Sequence, residues 1–270
     1  MMAPQSSEAL PLGVVHAPTL IDDVRVLDPD VTAVILPADG IPRWQPELDR
    51  AIVDRRLTIQ RTMLPSVTPE QLGSWAFQAV AGLPQRLATL LVADLVDLAD
   101  RVSRLGSVER LMARIFTEPP TRRCGFHVDT VPPQAPTVGA LRVYNGASTE
   151  YVEPADVRDM TVFYGYLSRR ERLSRALGRA EQAGDGARAA ALLAELVAMD
   201  DAPNFLRPGA IVRRVPAGSS VLFKHVDSRA HWSAHPVRHA WVHRSPMTGT
   251  PRLVVNLSPA ERARPRRRPE

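Results

Sequence analysis

The fold that this sequence predicts is an α+β chain in which a helical layer packs against the short strands of a sandwich or barrel. Three observations lead there. Residues 69–116 carry apolar side chains at helical spacing, residues 120–260 break into short apolar segments divided by Pro and Gly, and residues 168–200 interrupt those segments with a second helical pattern. At 270 residues and 44% hydrophobic content, the chain can bury one full core.

In chain order, residues 1–30 are expected to be a loosely ordered lead-in, because the first twenty contain Pro and Ser and show no period. Val31 to Pro37, VTAVILP, reads as a short buried strand. From Pro69 the apolar positions Leu72, Trp75, Phe77 and Val80 suggest a helix. Pro84 then opens a longer one through Leu87, Leu90, Leu91, Leu95, Leu98 and Val102, with Gly106 as its stop. That layer, residues 69–116, needs something flat to pack on. The segments CGFHVD, GALRVYNG, RPGAIVRRVPAGSSVLFKH, AWVHRSP and TPRLVVNLSP supply it as strands of a barrel over 120–260. Residues 168–200, rich in Arg, Ala, Leu and Glu and broken at Gly184 to Gly186, read as an inserted helical hairpin, either packing that closes one end of the barrel or a substrate lid.

The charge excludes less than the pI near 10.1 suggests. Residues 261–270 hold five Arg and two Glu, which supplies +3 of the net +5 and marks a basic, disordered tail rather than a basic face. Lys224 is the only lysine among 34 basic residues, a skew of genome composition more than of phosphate recognition. Nucleic acid is therefore not the expected partner; a small molecule is. No run reaches the roughly 18 apolar residues of a membrane span, and MMAPQSSEAL lacks the basic-then-apolar layout of a signal peptide, so the expected location is cytoplasmic. Cys124 is the single cysteine, which rules out an intrachain disulfide and thiolate-rich zinc sites. It reads as a small buried hydrophobe.

Any metal must then be held by His and carboxylates. In a strand, Phe126-His127-Val128-Asp129 puts His127 and Asp129 on one face, where an imidazole and a carboxylate can meet on one cation. A third ligand has to come from His225, His231, His235, His239 or His243. His243 is the best candidate, because it sits in the strand-like AWVHRSP. Nine residues on, past the turn MTGTP, Arg252 opens RLVVNLS. If those two strands are antiparallel neighbours, Arg252 lies deeper in the barrel, behind the metal, where its fork can grip a carboxylate. Two His and one carboxylate on one face leave positions open, as in non-haem Fe(II) oxygenases. Plainer readings exist: His127 and Asp129 as a structural pair, Arg252 as a surface residue, Trp241 as core. The spacing of four from His231 to His243 imitates a helical metal stripe, but Pro236 lies inside it.

These residues resemble the Fe(II)/2-oxoglutarate-dependent dioxygenase superfamily, whose double-stranded β-helix, a jelly-roll or cupin-like barrel, carries H-x-D, a distal His, and an Arg or Lys about ten residues beyond. GSSVLF resembles the G-x-x-x-x-F strand that often precedes the distal His. More closely, CGFHVD, LRVYNGASTEY, PAGSSVLFK and VHRSPMTGTPRLVVNLS resemble a bacterial family of unknown function, number 1826 of the domain-of-unknown-function series, over residues 30–260 apart from the 168–200 insertion. That family's loop reads close to G-P-G-T-E-W where Gly146-Ala147-Ser148-Thr149-Glu150-Tyr151 stands here, a departure on the substrate side of the site.

The resemblance implies a single catalytic domain over 31–260 that uses Fe(II) and 2-oxoglutarate to oxidise a C–H bond. His127, Asp129 and His243 would be the iron ligands and Arg252 the anchor of the distal carboxylate. Tyr144 and Asn256 are expected to contact the co-substrate, and Trp241, Arg142 and Arg244 to line the substrate pocket. Two rivals remain at this point. One is a non-catalytic zinc-binding protein that uses His231, His235 or His239 with His243; the other is a cupin-like hydrolase acting through a metal-bound water.

Overall fold

The structure, a computed structural model, describes residues 13–18, 20–37, 43–121 and 125–260. Cys124, residues 1–12 of the expected lead-in and the basic tail 261–270 lie outside the described residues.

The described residues form a mixed α+β fold around one large sheet. Its strands are β1 (Gly13–His16), β2 (Val31–Leu36), β3 (Thr62–Val67), β4 (Leu111–Glu118), β6 (Val138–Val143), β9 (Ser220–Lys224) and β12 (Arg252–Pro259), in the spatial order β1-β2-β9-β6-β12-β4-β3. All neighbours are antiparallel except β1 and β2. A second, antiparallel sheet joins β11 (His243–Arg244), β7 (Glu150–Tyr151) and β8 (Arg213–Arg214), while β5 (Thr130–Val131) pairs in parallel with β10 (Val226–Asp227).

Five helices complete the fold among the described residues: α1 (Gln45–Val53), α2 (Pro69–Ala79), α3 (Gln85–Gly106), α4 (Met160–Gln182) and α5 (Gly186–Asp201). Each end has a local cause. Thr68 and Gln71 form a reciprocal capping box at the start of α2, where Pro69 needs no hydrogen-bond partner for its nitrogen. Past Gly106, the last residue of α3, Ser107 adopts a left-handed conformation. Asp159 caps α4 by accepting from Val162 N at 2.8 Å. Among the described residues no helix is long and apolar enough to cross a membrane.

Period-two alternation sorts the sheet into two faces. On β12, Leu253, Val255 and Leu257 join Leu72, Leu87, Leu91, Leu95, Leu98 and Val102 of α2 and α3 in one core. The opposite face of the sheet, with Val254, Phe116, Leu141, Val143 and Phe223, meets Tyr151 and Trp241 of the second layer. A third core behind that layer packs Phe126, Val128 and Val242 against Phe163 and Tyr166 of α4. Residues 126 and 128 thus point back into the helical hairpin, which leaves 127 and 129 to point between the layers.

Four expectations need correction. The helical layer ends at Gly106, not at 116, because Leu111, Ala113 and Ile115 alternate with Met112, Arg114 and Phe116 as strand β4. The lead-in holds strand β1 and a 3-10 segment over Leu20–Leu27, both short enough to escape a search for period. The helical insertion spans 160–201 rather than 168–200; its first turn, MTVF, has β-branched and aromatic residues that mask a helix start. Finally, β11 and β12 are not neighbours. Pro246, Gly249 at φ 134° and Pro251 carry the chain from one sheet to the other.

Candidate metal centre

His127 and His243 face each other across an antiparallel bridge, with His127 N donating to His243 O at 2.8 Å and His243 N to His127 O at 3.1 Å. That backbone pairing holds the two rings with centroids 4.4 Å apart. Each ring is locked by its own chain: His127 Nδ1 lies 3.0 Å from Gly125 O, and His243 Nδ1 lies 3.0 Å from Trp241 O. A carbonyl only accepts, so both Nδ1 atoms carry the proton and both Nε2 atoms present lone pairs.

Those lone pairs converge on Asp129. His127 Nε2 lies 3.9 Å from Asp129 Oδ1, and His243 Nε2 lies 3.9 Å from Asp129 Oδ2. Both separations are too long for hydrogen bonds. Two donors each about 2.1 Å from one cation and at right angles lie about 3 Å apart, so a small side-chain adjustment brings all three onto a common ion. His127, Asp129 and His243 are the one group of three potential metal ligands found among the described residues. His231, His235 and His239 are engaged elsewhere. His235 Nε2 is 2.8 Å from the Tyr164 hydroxyl, His239 stacks on His235, and His231 packs on Tyr164 and Trp232. The His-rich zinc site considered above is therefore not assembled.

The electrostatics suit a divalent cation. Burial, with help from the nearby His127, pushes the His243 imidazole down to about 3, so it is neutral and able to ligate at ordinary pH. Burial works to raise the Asp129 carboxyl, but the neighbouring imidazoles of His243, His127 and His225 and a hydrogen bond from Asn256 outweigh it and hold the group below the usual carboxylate range. Asn256 Nδ2 donates to Asp129 Oδ2 at 2.6 Å. Behind Asn256, Ser258 Oγ lies 3.4 Å from Asn256 Oδ1 and 2.9 Å from His225 Nε2, and His225 Nδ1 meets Thr137 O at 3.1 Å. Gly139 makes room for that relay, since a Cβ there would collide with the His225 ring and with Leu257 O.

A cavity of about 170 Å³ opens beside the triad, lined on one side by Arg114, Phe116, Leu141, Arg252, Val254 and Asn256 of the large sheet and on the other by Thr149, Arg244 and Ser245. Arg252 is 1% exposed and donates from Nη1 to Ala147 O at 3.2 Å. It reaches the cavity although β11 and β12 are not paired, because alternation puts Arg252, Val254 and Asn256 on one face of β12. Arg244 lines the same cavity, held by Glu150 Oε2 at 2.8 Å and by Asp200 O at 2.7 Å.

Three of the expected site residues stand elsewhere. Tyr144 and Arg142 share the opposite parity from Leu141 and Val143 and so face α3. There Tyr144 donates to Asp94 Oδ2 at 2.8 Å, and Arg142 meets Asp94 at 3.2 Å and Ser220 Oγ at 2.9 Å. Trp241 stacks on the His243 ring at 4.3 Å and supports the ligand from behind. Asn256 holds the Asp129 carboxylate. Arg61, Arg114, Thr149 and Ser245 were missed; reading LMARIF as a strand would have exposed Arg114.

The hairpin of α4 and α5 contributes no lining residue. Instead, Asp200 accepts from Tyr166 and Arg170, the Tyr166 oxygen accepts from Phe126 N at 3.2 Å, and Arg244 packs over the Phe126 ring. These contacts brace the strands on either side of the triad from behind.

No protein-family model and no curated protein matches the chain, so its likeness to the bacterial family stays a resemblance. Among solved structures, a dioxygenase for auxin oxidation from rice is similar over 92% of this chain and 82% of its own, at 11% identity and a TM-score of 0.41. Dioxygenase for auxin oxidation 1 from Arabidopsis thaliana, in binary complex with 2-oxoglutarate, is similar over 92% and 91% at 9% identity and a TM-score of 0.43. AviO1 from Streptomyces viridochromogenes is similar over 91% and 96% at 14% identity and a TM-score of 0.40. Likenesses this remote establish neither a family nor an activity for this chain.

Proposed function

We propose that the protein is a non-haem Fe(II)/2-oxoglutarate-dependent dioxygenase that oxidises a C–H bond of a small molecule, with His127, Asp129 and His243 as iron ligands and Arg252 as the anchor of the co-substrate's distal carboxylate. We read the two facing sheets as a double-stranded β-helix and residues 31–260 as one catalytic domain. The observation that carries the reading is the convergence of two Nε2 lone pairs and one carboxylate beside a cavity whose wall also holds a buried arginine.

Two imidazoles and a carboxylate on one side of a cation leave its other positions free for a co-substrate. Iron(II) held by His127, Asp129 and His243 would supply redox-active Lewis-acid chemistry for the oxidative decarboxylation of 2-oxoglutarate by dioxygen, coupled to oxidation of the substrate. The chain does the rest. The Gly125 and Trp241 carbonyls fix the imidazole tautomers, and Asn256 fixes the carboxylate. Phe116, Leu141 and Val254 make the cavity wall apolar and limit water around the reacting centre. Arg252 offers a planar fork to a carboxylate, which fixes the far end of the co-substrate.

Arg252→Met tests this reading, because truncating one side of a buried ion pair costs roughly 3–5 kcal/mol, or about two to three and a half powers of ten in affinity. The half-saturating 2-oxoglutarate concentration should rise at least about a hundredfold, with Fe(II) binding nearly intact and partial recovery in Arg252→Lys. Unchanged 2-oxoglutarate affinity in a folded, iron-loaded Met variant would sink the assignment.

A further inference from the structure

The cavity holds more positive charge than the metal and a 2-oxo acid use. Four arginines line it, Arg61, Arg114, Arg244 and Arg252, against the single carboxylate of Asp129. Arg61 is matched by Glu118 at 3.2 Å, and Arg244 at 2.8 Å by Glu150, whose other oxygen meets the more exposed Arg214. Arg252 is taken by the distal carboxylate in the function proposed above, on which this inference rests. That leaves Arg114. It stands on β4 directly opposite Asn256 of β12, on the cavity face, with its side chain 39% exposed. Its Nη1 lies 3.7 Å from Asp129 Oδ1, beyond hydrogen-bond reach, and its guanidinium makes no hydrogen bond among the described residues.

Asp129 cannot serve Arg114 and a divalent cation equally. Once a metal draws on the carboxylate, Arg114 is left beside a second positive centre. The two charges of the cation and those of Arg114 and Arg252 then face three negative ones, from Asp129 and a dianionic 2-oxo acid. One positive charge is left over, at Arg114 rather than at the buried Arg252. Arg114 is only partly exposed, and an excess of like charge beside it favours a ligand that cancels it.

We propose that Arg114 is a substrate-binding residue that grips an oxyanion, carboxylate or phosphate, so that the organic substrate of this site is an acid rather than a neutral molecule. The fork geometry of the guanidinium suits either oxyanion. Arg61, packed over the Phe116 ring at 4.5 Å and largely exposed, stands at the mouth with its charge matched by Glu118, so the oxyanion falls to Arg114.

The test uses the full chain loaded with Mn(II) and 2-oxoglutarate, and inorganic phosphate as the probe. Mn(II) uptake is followed by the electron-spin signal of the free ion, 2-oxoglutarate by calorimetry, and phosphate by paramagnetic enhancement of its ³¹P relaxation. The expected result is a saturable enhancement in the wild-type protein. Arg114→Gln should weaken phosphate roughly ten- to hundredfold while Mn(II) and 2-oxoglutarate affinities move by less than about threefold, and Arg114→Lys should recover part of the loss. No enhancement in wild-type protein that has bound both partners overturns the proposal. So does an equal enhancement in Arg114→Gln, which would place phosphate on the metal alone. A loss of 2-oxoglutarate affinity as large as that expected of Arg252→Met would assign Arg114 to the co-substrate and overturn it too. Failure of the wild-type protein to take up Mn(II) or 2-oxoglutarate, scored separately, overturns the reading of the site itself and this assignment with it.

Discussion

Replacing Asn256 by Leu removes a single hydrogen bond from the Asp129 carboxylate while keeping the number and branching of the side-chain heavy atoms. In the native protein Asn256 Nδ2 donates to Asp129 Oδ2 at 2.6 Å, in a position 8% exposed where little water can take over. A hydrogen bond to a charged acceptor contributes roughly 1.5–3 kcal/mol, and partners of metal ligands typically govern about ten- to hundredfold in metal affinity. Asn256→Leu should therefore weaken Fe(II) or Co(II) by roughly ten- to hundredfold, measured anaerobically against a chromophoric chelator. Ser258→Ala should cost much less, because Ser258 Oγ stands 3.4 Å from the Asn256 oxygen and acts only through it. An Asn256→Leu protein with native circular dichroism and unchanged metal affinity would refute the claim that this amide orients the ligand.

Two further expectations follow from buried charge. Asp200→Ala leaves Arg170 without the carboxylate that meets it at 2.9 Å, a loss of roughly 3–5 kcal/mol that should lower Tm by roughly 10 °C in thermal unfolding; a shift under about 2 °C contradicts the bracing role given to the hairpin. For pH, the folded value of His243, about 3, lies below its unfolded value of 6.5, so the stability contributed by the neutral ring is present above pH 6.5 and lost as pH falls toward 3. The urea midpoint of metal-free protein should fall between pH 7 and pH 5, and less steeply in His243→Gln; an equal slope in both proteins removes His243 as the cause.

The parts of the fold most legible in the sequence were those whose period is long. Helix α3 repeats its apolar face over 22 residues, and Pro84 and Gly106 frame it. The buried run of β2 was equally plain. Strand β4 was lost because it follows a strong helix with only four residues between, and LMARIF contains good helix formers; the sheet edge offered by β12 decided its state. That error hid Arg114. His127 and Asp129 could be placed on one face because parity in a strand needs only two or three residues, whereas Arg252 was reached from its spacing to His243 through a strand pairing that the sheets do not make. Tyr144 and Arg142 failed by the same rule: one step of register turns a side chain from the cavity to α3. The His225–Ser258–Asn256 relay had no signal, since it joins residues from two strands that only the sheet brings together.

Anaerobic titration of the protein with Fe(II) and 2-oxoglutarate, followed in the visible spectrum, probes the proposed iron site itself. A weak charge-transfer band should appear that saturates at one equivalent of iron, needs the 2-oxo group, and is missing in Asp129→Ala. Arg252→Met should require far more 2-oxoglutarate to reach the same band. A wild-type protein that binds iron yet shows no band at saturating 2-oxoglutarate, or that holds Zn(II) in a closed site indifferent to the 2-oxo acid, would contradict the proposed site.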